Sequence, residues 1–159
     1  LTVLVGILCK DGVVIGADSA ATFTAGQTRT IEQATKKIEI VDGRVIVASS
    51  GPGGLGQRFA VIVEQAHKEK LFTKPAIEVG KTLSASAIKD FSSTMAPKGN
   101  FGALVAFACQ QKPCLVEFGS TDFQPELKTS NIWYVSMGSG QMIADPFLGL
   151  MRQAFWDDG

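Results

Sequence analysis

The chain opens on two apolar, β-branched-rich runs, residues 2–9 and 13–18, joined by Lys10-Asp11-Gly12. No other stretch constrains the fold as much. Asp-Gly between apolar runs is a strong hairpin signal, so the first residues must form a ribbon that doubles back on itself. The ribbon starts at Thr2 and ends in an acid, Asp18. A second hairpin signal follows, with Lys37–Val41 and Arg44–Ser50 as arms around Asp42-Gly43. Residues 19–34, between the two, are small and polar and read as a loop.

Gly51-Pro52-Gly53-Gly54 breaks the last strand and opens a helix over about Leu55 to Phe72, with Leu55, Phe59, Ile62, Val63 and Ala66 on one side. Thr73-Lys74-Pro75 separates it from a second helix, Ala76 to Met95, which Pro97-Lys98-Gly99-Asn100 ends. Strands are expected near 101–109 and 114–118, joined by Gln110-Gln111-Lys112-Pro113. A polar connection over 119–130 leads to a strand at 131–136. Gly138-Ser139-Gly140 opens a last helix running to Trp156. Hairpin-linked strands with helices between the sets predict an α+β fold of layered antiparallel sheets with helices outside.

A chain of 159 residues is expected to form one domain, 1–159, burying roughly 68–70% of its unfolded surface. Its 15 lysines and arginines balance 15 aspartates and glutamates, so no net field favours nucleic acid or an anionic membrane. Cys9, Cys109 and Cys114 form no CxxC, and His67 is the sole histidine. That set argues against a disulfide framework and against a metal site, and fits reduced thiols in a reducing compartment. The apolar start lacks a basic segment and stops at Lys10, unlike a secretion signal. Bulky Leu8 before Cys9 argues against lipoprotein processing. No run approaches the roughly 18 apolar residues of a membrane helix. A soluble cytoplasmic protein is expected.

Thr2, Asp18, Lys37 and Ser139 stand out chemically. Each alone has an ordinary explanation: β-propensity for Thr2, an Asx turn for Asp18, solvated charge beside Lys36 for Lys37, and a helix N-cap for Ser139. Together their chemistry fits. A Thr hydroxyl needs a base, and an N-terminal Thr carries one as its α-amine, with an ordinary pKa of about 7.7–8.0. A nearby lysine ammonium lowers that value and stabilises a forming alkoxide. The lysine in turn needs an acid to stay charged when partly desolvated, and Asp18 is the candidate.

The opening run, Thr-x-x-x-Gly-x-x-x-Lys-Asp-Gly-x-x-x-x-x-Asp-Ser-x-x-Thr, with Lys36-Lys37-Ile38 and Gly138-Ser139-Gly140, resembles the proteasome β-type family of N-terminal nucleophile hydrolases. By pattern it is most similar to the bacterial branches, the HslV peptidase and bacterial proteasome homologues. The resemblance implies a four-layer αββα sandwich of two antiparallel sheets. It implies Thr2 as nucleophile with its own amine as base, Asp18 and Lys37 as the supporting acid and lysine, and Ser139 as the serine bonded near the amine. Backbone N–H groups among Ser49 to Gly51 match the oxyanion donors, Ser49 and Gly51 being the candidates. Thr22 matches a residue that pairs with substrate as an added strand, while Ala21 and Val47 fall near the specificity pocket. Both are uncharged, so an apolar or undemanding preference is expected. The resemblance further implies stacked homo-oligomeric rings, unfolded polypeptide as substrate, no cofactor, and by analogy an ATPase regulator.

The chain departs from that pattern in four places. Leu1 precedes Thr2 and must be removed to free the amine; it is readable as an alternative start codon translated literally. Ala20 stands where many members carry Arg. The oxyanion donor falls among Ser49 to Gly51 in place of a single fixed Gly. Family members continue past the last helix with another helix and strands, one segment of which supplies an acid that orients the serine. The chain is therefore expected to be truncated or incompletely recorded, because Asp157 and Asp158 lie at the wrong end of their helix. Three other readings stay open: an inactive structural or regulatory ring subunit, an N-terminal nucleophile amidase acting on a small molecule, and a non-enzymatic binding domain.

Overall fold

The computed structural model of the protein describes residues 2–25, 28–95 and 99–155. The first hairpin is β1 (Leu4–Leu8) with β2 (Val13–Ala17), pairing Leu4 with Ala17 and Leu8 with Val13. A second hairpin, β3 (Ala20–Ala25) with β4 (Thr28–Ala34), is followed by β5 (Ile38–Val41) and β6 (Val45–Ser50). Next come α1 (Gly53–Lys68), a 3-10 turn at Leu71–Thr73, and α2 (Ala76–Phe91). The chain continues with β7 (Gly102–Cys109), β8 (Lys112–Phe118), β9 (Pro125–Leu127), β10 (Tyr134–Met137) and α3 (Gln141–Phe155).

The strands make a three-stranded sheet in the order β10-β1-β2, a five-stranded sheet β5-β6-β7-β8-β9, and the separate β3-β4 pair, all antiparallel. One face of the five-stranded sheet packs under α1 and α2, where Val47, Val105, Val116 and Phe118 meet Phe59, Val63, Val79 and Leu83. Its other face meets the three-stranded sheet, with Ala48, Leu104, Ala106 and Leu115 against Leu4, Val135 and Met137. α3 packs on β10 from the remaining side. The four layers run helix, sheet, sheet, helix, as the resemblance implied. Because the middle strands are covered on both faces, they read as unbroken apolar runs, and residues 102–107 of β7 are all buried.

Phe59 anchors the helical layer. It is fully buried and meets Phe101, Phe118 and Phe123 edge-on, with ring centroids 5.4–6.0 Å apart. Of the apolar side expected for α1, Leu55, Phe59, Val63 and Ala66 are buried and Ile62 is partly so.

Five local expectations need correction. Residues 19–34 are not a loop, since β3 and β4 pair there. The 119–130 connection contains β9, a short edge strand that opens on Pro125, a residue tolerated only where no ladder N–H is needed. α1 stops at Lys68, not Phe72, because Lys70 turns left-handed (φ 61°) and lets Leu71 and Phe72 fold back into the core. α2 ends at Phe91, short of Met95, and β10 begins at Tyr134. Leu1, Pro97, Lys98, Trp156, Asp157 and Asp158 lie outside the described residues.

Candidate active site

The register of the first hairpin decides the site. With Leu4 opposite Ala17, the residues just before β1 and just after β2 come together. The Asp18 N–H donates to the Val3 carbonyl at 3.1 Å, and Asp18 Oδ1 accepts the Val3 N–H at 2.8 Å. Asp18 Oδ2 accepts the Ala20 N–H at 3.1 Å, which turns the chain into β3.

Lys37, immediately before β5, reaches into this corner from the other sheet. Its Nζ lies 2.8 Å from both Asp18 carboxylate oxygens and 3.2 Å from Thr2 Oγ1, and its side chain is 10% exposed. Burial alone would push the Asp18 carboxyl up. The Lys37 ammonium and the N–H groups of Val3 and Ala20 outweigh it and hold the carboxyl below its ordinary value.

The opposite side of Thr2 is closed by the turn between β10 and α3. The Thr2 N–H donates to Ser139 Oγ at 2.9 Å, and the Gly140 N–H donates to the Thr2 carbonyl at 2.9 Å. Gly138 turns at φ 94°, and a Cβ there would run into the Thr2 carbonyl oxygen. Thr2 is thus gripped by two sheets and a helix start.

A cleft of about 600 Å³ opens at Thr2, lined among others by Ser50, Gly51, Asn100, Glu117 and Ser139. Gly51 has φ 121° and lies so close to Asn100 that a Cβ would strike its carbonyl oxygen. Ser49 does not line the cleft; its Oγ sits against Gly56 of α1. Nor does Val47, which is buried at 3% exposure under α1 and α2. The cause is strand parity: residues 45, 47 and 49 of β6 share the helix-facing side. Ala21 and Thr22 are half-buried in β3, which pairs with β4 alone among the described residues. Thr22 Oγ1 is buried without a hydrogen-bond partner there.

The structure therefore brings Thr2, Asp18, Lys37, Ser139 and Gly51 to one corner. It adds residues the sequence reading passed over. Glu117 lines the cleft and is tied to the buried Lys128 at 2.5 Å; a charged residue inside the apolar β8 was the available signal. Asp145 of α3 accepts hydrogen bonds from Ser136 and Gln141. Among the described residues no group of three or more His, Cys, Asp or Glu is placed to hold a metal ion, and no helix is long and apolar enough to cross a membrane.

Residues 2–149 match the family model described as "Proteasome subunit". The chain is 30% identical over 147 residues to the proteasome subunit beta 1 of Thermococcus sibiricus, covering 90% of this chain and 65% of that one. It is 26% identical over 161 residues to the proteasome subunit beta 1 of Thermococcus onnurineus, covering 99% of this chain and 71% of that protein. The chain thus spans just under two thirds of the length of the first relative. Both relatives are archaeal, so they support the β-type placement and lend nothing to the bacterial one.

Proposed function

The chain belongs to the proteasome subunit family, and on that premise we propose that it is a threonine-type peptidase working through an acyl-enzyme on Thr2. The observation that carries this reading is the contact of Lys37 Nζ with Thr2 Oγ1 at 3.2 Å while Asp18 holds the same ammonium through both oxygens. A hydroxyl beside a buried, paired ammonium is stabilised as an alkoxide.

Cleavage of the peptide bond before Thr2 turns its nitrogen from an amide into an amine. That amine takes the Oγ1 proton, and Oγ1 attacks the peptide carbonyl. The developing oxyanion is held by backbone N–H donors near Gly51, and the protonated amine returns its proton to the departing nitrogen. Water, activated by the same amine, then breaks the ester and restores Thr2. Ser139 stays bonded at the amine throughout. Substrate lies along the open edge of β3 at Thr22 as an added strand, with Ala21 beside the residue before the cut. The assembly is a stack of homo-oligomeric rings acting on unfolded polypeptide, with an ATPase regulator by analogy.

A specific observation favours a second reading. With Leu1 in place the Thr2 nitrogen is an amide whose hydrogen is already given to Ser139, which suits a silent ring subunit. Intact mass of the protein from its own cell separates the two. Catalysis requires Thr2 as the first residue, and any residue retained ahead of it sinks that reading. In the processed protein, Thr2→Ala is expected to abolish covalent labelling by an electrophilic peptide; labelling at an unchanged rate would place the nucleophile elsewhere.

A further inference from the structure

We propose that Asp145 is a positioning residue for Thr2, locking the turn that holds it; this rests on Thr2 being the nucleophile. The turn Gly138-Ser139-Gly140 provides both backbone grips on Thr2, through Ser139 Oγ and the Gly140 N–H, each at 2.9 Å. It has glycine on either side of Ser139, so its backbone resists reorientation poorly. The restraint comes from its flanks.

On one flank Ser136 of β10, buried at 2% exposure, donates its hydroxyl to Asp145 Oδ1 in a very short hydrogen bond. On the other, the side-chain amide of Gln141, the first residue of α3, donates to Asp145 Oδ2 at 3.1 Å. A single carboxylate so bridges the strand that enters the turn and the helix that leaves it.

Two features make this bridge more than a helix anchor. Pro146 has no N–H to offer the Met142 carbonyl, so the start of α3 lacks one of its own backbone ties. Asp145 is also the sole acid in α3, and an ionised acceptor bonds a buried hydroxyl more strongly than a neutral one. Asp145 acts through Ser136 and Gln141, not on the reacting atoms.

Amide hydrogen exchange at Gly140 and electrophile labelling of Thr2, both in the processed protein, test the assignment. Asp145→Ala is expected to speed Gly140 exchange and slow the bound labelling step, each by about tenfold, the loss expected for a hydrogen bond to a charged group. Binding of the electrophilic peptide before reaction, and exchange at Gly6 and Val135 in the three-stranded sheet, should stay at the parent level. Asp145→Asn, which keeps an acceptor for Ser136 but not the second oxygen for Gln141, should recover part of the Gly140 protection. If Asp145→Ala fails to fold, Ser136→Ala, which removes one arm of the bridge, serves in its place. Unchanged Gly140 exchange overturns the proposal. So does exchange at Gly6 and Val135 rising as much as at Gly140, which marks a general anchor. A parent protein that never labels removes the peptidase reading, and Gly140 exchange then decides the lock alone.

Discussion

Asp18 bonds three partners: Lys37, through both carboxylate oxygens, and the N–H groups of Val3 and Ala20. Burial works against its charge, yet these partners win and its folded pKa lies below the ordinary 3.8. On acidification the unfolded chain takes the proton first. The stabilisation is complete above the unfolded value and is lost as pH falls through the folded one. Urea midpoints should therefore drop from about pH 4 downward, and Asp18→Asn should flatten that slope; an equal slope in the variant would assign acid sensitivity to other carboxylates. Lys37→Ala should remove Thr2 labelling while near-ultraviolet circular dichroism is kept, and normal labelling would hand the role to Lys36. The convergence of Thr2, Asp18, Lys37 and Ser139 was legible in the sequence because a hydroxyl, an acid and a lysine sat at the ends of predictable strands. Ser136 and Asp145 were not, since a single polar residue in an apolar element does not name its partner. Val47 was misassigned because alternation in β6 fixes which residues share a face, but not which face looks toward Thr2.

At the scale of elements, β8 and β9 are stitched by charge where the rest of the sheet relies on apolar packing. Lys128, just past β9, has a side chain only 4% exposed and pairs with Glu117 at 2.5 Å and Glu126 at 2.6 Å. Burial would pull its pKa down, but the two carboxylates outweigh it and raise it. Lys128→Ala leaves Glu117 without its cation beside the cleft and is expected to cost about 3 kcal/mol in urea unfolding. Lys128→Leu with Glu117→Leu should recover much of that loss, and an additive double loss would contradict the pairing. Legibility at this scale followed burial. β1, β2, β5, β6 and β7 announced themselves through apolar runs and Asp-Gly turns. β3 and β4 hid, since a two-stranded ribbon outside the main sheets needs no apolar run; its signal was the β-propensity of Thr22, Phe23, Thr24, Thr28, Thr30 and Ile31. β9 hid because three residues opening on proline make too short a pattern to detect.

The 159 residues are together electrically balanced, with formal net charge zero and a sequence pI near 6.8. Solubility should pass through a minimum close to that pH and rise on either side, since little net repulsion keeps copies apart; a flat profile would point to other determinants. Ile143, Phe147 and Leu150 make an exposed apolar stripe on α3 at helical spacing, which sharpens the minimum. The layered architecture was legible because element order and hairpin turns leave few ways to cover both faces of β6 and β7. The long reach of the site has a consequence in time. Thr2 and the Ser139 that holds its nitrogen are 137 residues apart in the chain. A ribosome adding roughly 5–20 residues per second leaves the first partner waiting on the order of ten seconds for the second. During synthesis Thr2 sits at the open end of the β1–β2 hairpin beside Asp18 and Lys37, and the turn that holds its nitrogen is the last of these supports to leave the ribosome.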